Sequence, residues 1–214
     1  MIKGVIFDMD GLLIDTEKLY NKFWRQASKD FGYDMTFENA LSIRSLAAEY
    51  AIPKLERVFG SGFPYYEIKK HRIELMEEYV SKNGVEKKEG VDELLAYLKE
   101  NNYKTAVATA SDIGRTQRFL GMTEIFEMFD EIVCGPEVAH GKPQPDIYIA
   151  AAKKLGLKPE ECIGLEDSSN GILAAYRAGV APVMVPDLDE PDDETKKLLY
   201  AKAKSLKDVI PLLC

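Results

Sequence analysis

The stretch Val5-Ile6-Phe7-Asp8-Met9-Asp10-Gly11 decides the fold of this chain. Its first three residues are β-branched or aromatic and predict a buried strand, and two aspartates follow where that strand ends. In open parallel α/β sheets, ligands bind at the carboxyl ends of the strands, so the motif predicts a site. Two carboxylates this close repel each other, and a divalent metal ion between them is the simplest remedy. An ordinary Asp-Gly turn is the alternative interpretation.

The composition of the 214-residue chain is that of a globular protein, with 46% hydrophobic and 30% charged residues. The net charge is −8, but six of the acids lie within residues 187–194, and we expect a solvated surface loop there. No basic patch with interleaved aromatic residues is apparent, which argues against a nucleic acid polymer as partner. Neither a signal peptide nor an apolar run of membrane-spanning length is apparent, so no membrane association is expected.

The three cysteines Cys134, Cys162 and Cys214 are odd in number and lack metal-ligand spacing. Cys134 and Cys162 fall within predicted strands, and we interpret them as small core residues. This usage is consistent with a reducing compartment, so we expect a cytoplasmic protein. The sequence does not define the oligomeric state, and a monomer is the expectation.

Predicted strands and helices alternate along most of the chain. The five predicted strands cover residues 2–7, 104–108, 131–134, 161–165 and 182–185, and a final helix covers residues 206–213. This alternation predicts an α/β fold with a doubly wound parallel sheet. Residues 15–86 contain helical periodicity and no strand pattern. We therefore predict a core domain of residues 1–14 and 87–214 and an inserted all-helical cap domain of residues 15–86, which lies over the Asp8 edge as a lid.

Three further polar segments follow predicted strands. Thr109-Ala110-Ser111 offers a hydroxyl and backbone N–H groups to a phosphate oxygen, or else caps the next helix. Lys142 precedes two prolines, Pro143 and Pro145, which stiffen the segment and lead into a helix, and it supplies a fixed positive charge, although most lysines are simply solvated. Glu166-Asp167-Ser168 offers oxygen ligands for Mg²⁺ together with Asp8, or else an N-cap. In combination these segments predict a carboxylate nucleophile, a phosphate-binding loop, a neutralising charge and a metal site.

The combination resembles the haloacid dehalogenase (HAD) superfamily, in its β-phosphoglucomutase-like phosphatase branch with a helical cap. The matching segments are residues 8–17, 109–111, 141–146 and 164–168, with Gly171 and residues 178–179. The resemblance implies a Rossmann-like core and covers nearly the whole chain.

The resemblance implies covalent catalysis of phosphoryl transfer. Asp8 would attack phosphorus and become an aspartyl-phosphate, while Asp10 would protonate the leaving oxygen and then deprotonate the incoming water. Thr109 would hold the transferring phosphoryl group, and Lys142 would neutralise charge beside it. These four residues are the predicted catalytic set.

The resemblance also implies Mg²⁺ as cofactor, bound by the Asp8 side chain, the Asp10 backbone carbonyl and Asp167, with Glu166 close by. A small phosphorylated substrate is the expected partner. The residues predicted to bind it are Gly11, Tyr20, Arg44, Ala110 and Ser111. His71 and Lys70 are further candidate contacts from the cap.

Three functions remain open at this point. Asp10 favours phosphate chemistry, because the dehalogenases of the superfamily lack this second aspartate. The cap departs from the mutase pattern, with Tyr20 in place of a histidine, Arg44 in a different local sequence, and Asp112 where an acid would repel a second phosphate. We therefore predict a phosphatase acting on a sugar phosphate or nucleotide. The alternatives are a β-phosphoglucomutase-type mutase and a non-enzymatic phospho-acceptor or binding protein.

Overall fold

The computed structural model describes residues 1–213, which form a parallel sheet of six strands flanked by helices. The strands are β1 (Gly4–Phe7), β2 (Lys104–Thr109), β3 (Glu131–Cys134), β4 (Cys162–Glu166), β5 (Ala181–Met184) and β6 (Ala201–Lys202). Their order is β3-β2-β1-β4-β5-β6, and every neighbouring pair is parallel. The order reverses direction at β1, which creates a ligand-binding crevice at its carboxyl end. The predicted α/β class and doubly wound sheet are confirmed.

The helices connect these strands and form an insertion after the first one. Those around the sheet are α5 (Val91–Glu100), α6 (Ile113–Met122), α7 (Asp146–Lys154), α8 (Ser169–Arg177) and α9 (Asp193–Leu198). The insertion contains α1 (Glu17–Asp30), α2 (Phe37–Ser42), α3 (Ala48–Phe59) and α4 (Tyr65–Asn83), which we call the cap helices.

Two elements differ from the sequence prediction. The sixth strand, β6, was not predicted, because its two residues do not belong to an apolar run. They form a strand only because they lie beside β5 in the folded sheet. The segment predicted as a final helix is a 3-10 helix at Leu206–Leu212 that contains Pro211. Proline lacks the N–H of an α-helical hydrogen bond, which explains the tighter form.

Hydrophobic side chains cover both faces of the sheet. Because side chains alternate along a strand, Val5 and Phe7 join the core on one face and Ile6 the core on the other. Cys134 and Cys162 are both buried, which confirms their interpretation as core residues. The third cysteine, Cys214, lies outside the described residues.

The cap helices enclose a hydrophobic cluster of their own, which includes Trp24, Leu55 and Ile68. This cluster supports the predicted division into core and cap domains, which we retain as a proposal. The two connections to the insertion pair with each other, because Asp15 donates its N–H to the Glu86 carbonyl at 2.9 Å and Lys88 donates to Leu13 at 3.0 Å. In residues 1–213, no helix combines the length and apolar character needed to cross a membrane.

Candidate active site

A buried lysine joins the ends of three strands. The Asp8 N–H donates to the Leu165 carbonyl at 3.0 Å, which extends the β1–β4 ladder and fixes the aspartate at the end of β1. The Lys142 ammonium donates to Asp8 Oδ1 and Glu166 Oε1, both at 2.6 Å, and to the Ala108 carbonyl at 3.1 Å. Lys142 is 2% exposed, so it is not a solvated surface lysine. The structure therefore brings these sequence-predicted residues together.

Three buried carboxylates surround one small volume beside this lysine. One oxygen each from Asp8, Glu166 and Asp167 lies within 4.8 Å of the others. Among the described residues, Glu166 Oε2 and both carboxylate oxygens of Asp167 have no hydrogen-bond partner. Burial and the negative charge of Glu166 raise the pKa of Asp8 to about 7, although the positive charge of Lys142 opposes this rise. Burial also raises the pKa of Asp167 well above its usual value. A divalent cation fits this excess of buried, unsatisfied oxygen ligands.

Two glycines make room for the acidic cluster. A Cβ on Gly171 would lie 1.9 Å from Glu166 Oε2, so a side chain there would displace the carboxylate. Gly11 has φ +83°, and its Cβ would lie 2.2 Å from Asp167 Oδ2. The Gly171 N–H donates to the Ser168 hydroxyl at 3.2 Å, so Ser168 is the N-cap of α8 and the two acids before it are free for other roles.

The Asp10 carboxylate is separate from this cluster. Arg115 donates to its two oxygens at 2.7 and 2.9 Å, and the Thr16 hydroxyl donates to it at 2.5 Å. Burial alone would raise the pKa of Asp10, but Arg115 and Thr16 together lower it. Asp10 is therefore ionised in this arrangement, and its predicted contribution to a metal site is its backbone carbonyl.

The end of β2 places hydroxyls beside the two aspartates. Thr109 is the last residue of β2 and accepts a hydrogen bond from the Ser111 N–H at 3.2 Å, while the Ser111 hydroxyl lies 3.4 Å from Asp10 Oδ2. Asp112 caps α6 by accepting from the Arg115 N–H at 3.0 Å. Because Asp112 performs the capping, neither Thr109 nor Ser111 is the N-cap of α6, and the Ser111 hydroxyl instead accepts a hydrogen bond from Arg115.

A cavity of about 420 Å³ lies between the cap helices and these strand ends. The sequence-predicted residues that line it are Asp8, Asp10, Tyr20, Arg44, Thr109, Ala110 and Ser111. Gly11, Lys142, Glu166 and Asp167 do not line it. His71 and Lys70 do not line it either, and His71 instead contacts Asp30 at 2.9 Å. The structure therefore does not place these two candidate cap contacts at the cavity.

Arg44 connects the cap to the acidic cluster. It donates to the Asp167 carbonyl at 3.0 Å, lies 3.6 Å from Asp167 Oδ2, and forms an ion pair with Asp189. A second acid of the same loop, Asp187, pairs with Lys88 at 2.5 Å. The prediction of a solvated acidic loop is therefore wrong for Asp187, whose side chain is 9% exposed beside Lys88, whereas Asp189 is 37% exposed although it pairs with the buried Arg44 of the cap.

Four side chains of the site were missed in the sequence. Tyr148 donates to Glu166 Oε1 at 2.5 Å, and Arg115 holds Asp10. Lys69 and Arg72 line the cavity from α4. Arg115 lies four residues after Ser111, so helical spacing could have indicated that their side chains lie close together. The i, i+3 spacing of Lys69 and Arg72 likewise predicts that they share a helix face. The position of Tyr148 depends on how α7 packs on the sheet, which the local sequence does not show.

Comparisons with known proteins agree with this geometry. The family model for haloacid dehalogenase-like hydrolases matches residues 5–185. A probable pseudouridine-5′-phosphatase from Drosophila melanogaster is 32% identical over 212 residues, covering 96% of this chain and 90% of that protein. A phosphorylated carbohydrates phosphatase from Thermotoga maritima is 31% identical, covering 84% and 82%. The crystal structure of a β-phosphoglucomutase from Clostridium difficile superimposes with a TM-score of 0.78 at 26% identity, covering 97% of this chain and 92% of that one.

Proposed function

The chain belongs to the haloacid dehalogenase-like hydrolase family and is a phosphoric monoester hydrolase, and within that class we propose a Mg²⁺-dependent phosphatase that acts on a small phosphorylated metabolite through an aspartyl-phosphate. One feature of the molecule supports this function above the others. Lys142 bridges Asp8 and Glu166 beside an unsatisfied Asp167, and Asp8 in turn borders the cavity beneath the cap helices. Phosphoryl transfer requires chiefly this kind of alignment and charge neutralisation.

Asp8 is the proposed nucleophile. Lys142 fixes one of its oxygens, and the residue borders the cavity where a phosphate would lie. An Asp8 oxygen forms a bond to phosphorus, and the bond from phosphorus to the substrate oxygen breaks with its electron pair. The departing oxygen takes a proton from the Asp10 carboxyl group. Thr109 and Ser111 lie where they can donate to the phosphoryl oxygens.

Asp10 then acts as the base of the second step. It removes a proton from water, the water oxygen attacks the phosphorus of the aspartyl-phosphate, and the bond to Asp8 breaks to release inorganic phosphate. The ionised, Arg115-bound state of Asp10 suits this step. The first step needs the protonated form, so we expect substrate binding to draw Asp10 away from Arg115.

Asp8, Glu166 and Asp167, with the Asp10 carbonyl, are the residues that would hold Mg²⁺. When bound, the ion would offset negative charge on the carboxylates and on the phosphoryl oxygens. Glu166 also accepts hydrogen bonds from Lys142 and Tyr148 through Oε1, so its Oε2 is the atom left for the ion or for a water beside it.

The substrate is proposed to be a sugar phosphate or a nucleotide. A cavity of about 420 Å³ fits a molecule of this size. The names of the phosphatase relatives, for pseudouridine-5′-phosphate and for phosphorylated carbohydrates, support both classes. Arg44, the cap arginine considered for a mutase's second phosphate, is already paired with acids, which favours hydrolysis over mutase activity.

Phosphate release tests this function. The protein is incubated with Mg²⁺ and a panel of sugar phosphates, nucleotides and small phosphoesters, with β-glucose 1-phosphate and a trace of the bisphosphate included. We expect free phosphate from one substrate class, and no release by Asp8→Asn, because an amide is a poor nucleophile. Asp193→Asn, at an exposed aspartate, is the matched control. Undiminished hydrolysis by Asp8→Asn would refute the covalent mechanism, and glucose 6-phosphate without phosphate release would indicate a mutase.

A further inference from the structure

Two cations of helix α4 face the cavity from the side of the cap. Lys69 and Arg72 are three residues apart, so they share one face of the helix, and both line the cavity. Arg72 is 6% exposed, and the catalytic proposal above uses neither residue.

Neither cation has an acidic partner in residues 1–213. No carboxylate lies within ion-pair distance of Lys69 or Arg72, and Arg72 Nε is buried without a hydrogen-bond partner. The polar contact recorded for the Arg72 guanidinium is with Met76 Sδ at 3.9 Å, which is weak. The guanidinium carbon lies 4.6 Å from the centre of the Tyr20 ring and 5.4 Å from that of Trp24. These aromatic faces orient the arginine, while Asp10, whose pKa the charge of Arg72 helps to lower, is already ion-paired with Arg115.

The two positive charges also oppose each other. Burial and the charge of Arg72 lower the pKa of Lys69 below its ordinary value. A buried guanidinium without an acid beside it is costly, and a second cation one turn away adds to that cost. An anion between the two would relieve both penalties.

The other cations at the cavity are already neutralised. Arg115 is paired with Asp10, and Arg44 is paired with Asp189 beside Asp167. The acid that lines the cavity from α4, Glu77, forms an ion pair with Arg118. Among the described residues, the cavity cations that lack an ion-pair partner are therefore Lys69 and Arg72, which lie on the cap helix and not at the strand ends.

We propose that Lys69 and Arg72 form a second anion-binding subsite, which takes a carboxylate or a second phosphate at the far end of the phosphorylated substrate. This inference rests on the proposed phosphatase function, because it assumes that the reacting phosphate lies at Asp8. It narrows the substrate class to phosphomonoesters that carry a second anionic group. Arg72 contributes a planar set of donors suited to an oxyanion, and Lys69 contributes a mobile point charge.

Matched substrate pairs test the subsite. Each pair has the same number of carbons and differs at one end, where a CH₂OH group replaces a carboxylate: glycerol 3-phosphate with 3-phosphoglycerate, erythritol 4-phosphate with 4-phosphoerythronate, and sorbitol 6-phosphate with 6-phosphogluconate. Glucose 6-phosphate with glucose 1,6-bisphosphate tests a second phosphate in the same way. We expect the wild-type protein to prefer the doubly anionic member of at least one pair by about 10- to 100-fold in kcat/KM.

Variants of Lys69 and Arg72 test whether these two cations cause the preference for the doubly anionic substrate. Arg72→Gln and Lys69→Gln should each remove most of the preference, mainly through KM, so that kcat/KM falls much further for the doubly anionic member than for the neutral one. Arg72→Lys should retain part of it, because the charge remains. Lys82→Gln, at an exposed lysine of the same helix, is the matched control and should keep the full preference. If Arg72 were merely a packing residue, its variants would lower thermal stability without changing the ratio within a pair.

The substrate pairs and one further measurement separate this inference from the proposed function. If wild type hydrolyses substrates but shows no preference for the doubly anionic member of any pair, the subsite is refuted and the phosphatase proposal stands. If no substrate is hydrolysed, calorimetric binding of 6-phosphogluconate, 4-phosphoerythronate, 3-phosphoglycerate and their matched alcohols to Asp8→Asn decides the matter. Tighter binding of an acid, lost in Asp8→Asn/Arg72→Gln, would support the subsite, and equal binding throughout would overturn it.

Discussion

Replacing Lys142 with methionine removes the positive charge between Asp8 and Glu166 while keeping a similar side-chain volume. Both ion pairs are 2.6 Å long and the lysine is almost completely buried, so the substitution leaves two adjacent carboxylates without their shared cation. Removing one member of a buried ion pair lowers the free energy of unfolding by about 3–5 kcal/mol. Because Lys142 takes part in two such pairs, we expect a loss at the upper end of this range. For a chain of this length, about 5 kcal/mol corresponds to a decrease in melting temperature of about 10–20 °C.

Urea and thermal unfolding of the protein in EDTA measure this loss of stability. Lys197→Met is the matched control, because Lys197 forms an exposed i, i+3 ion pair with Glu194 and should contribute less than about 1 kcal/mol. A loss of stability in Lys142→Met no larger than in this control would refute the view that the lysine neutralises the buried acids.

Adding Mg²⁺ extends the same experiment to the carboxylate cluster. Because the ion supplies positive charge to the same oxygens, it should raise the melting temperature of both proteins, and by more in Lys142→Met than in wild type. If Mg²⁺ changed neither melting temperature, Asp8, Glu166 and Asp167 would not be a metal site.

Three further substitutions have defined outcomes. Asp10→Asn should lower kcat by about 10²–10⁴-fold with unchanged circular dichroism, and a wild-type rate would exclude Asp10 as the acid–base group. Gly171→Ala places a Cβ 1.9 Å from Glu166 Oε2. The variant should lose about 1–3 kcal/mol of unfolding free energy, measured with urea, and should bind Mg²⁺ more weakly. Gly121→Ala is the control, because the space around its Cβ is open, and it should be neutral or stabilising. Burial raises the pKa of Tyr65 to about 12, whereas the ordinary pKa of tyrosine, expected in the unfolded chain, is about 10. The neutral Tyr65 side chain therefore contributes its full stability below about pH 10. That contribution is lost as the pH rises towards 12, because only the unfolded chain is ionised in that range. Wild type should therefore lose about 1.4 kcal/mol relative to Tyr65→Phe between pH 9 and pH 11, and parallel stability curves for the two proteins would contradict this assignment.

The sequence predicted the end of the sheet at which the candidate site lies, because that end depends on local patterns. Each polar motif follows a short apolar run, and the carboxyl ends of parallel strands meet at one edge. This logic places Asp8, Lys142 and Glu166 near one another without any knowledge of packing. It also predicts the α/β class, since alternation of strands and helices determines a parallel sheet.

The missed features depend on contacts between distant parts of the chain. Arg44 finds its partner Asp189 145 residues away, and no local pattern in either segment indicates that pairing. Tyr148 looks like an ordinary member of an apolar helix face until α7 is packed against β4. Strand β6 exists because two residues fall into register with β5, which is a consequence of the assembled sheet.

The paired connections of the insertion have a consequence for how such a molecule changes through evolution. Because Asp15 and Lys88 are hydrogen bonded to each other's neighbouring segments, the chain leaves and re-enters the sheet at nearly one point. The cap helices all lie within one connection, from β1 to β2, so lengthening, replacing or resurfacing them would leave the other connections between strands unchanged. We expect changes in the cap helices to alter which metabolite fits the cavity while Asp8, Lys142 and Glu166 stay in place.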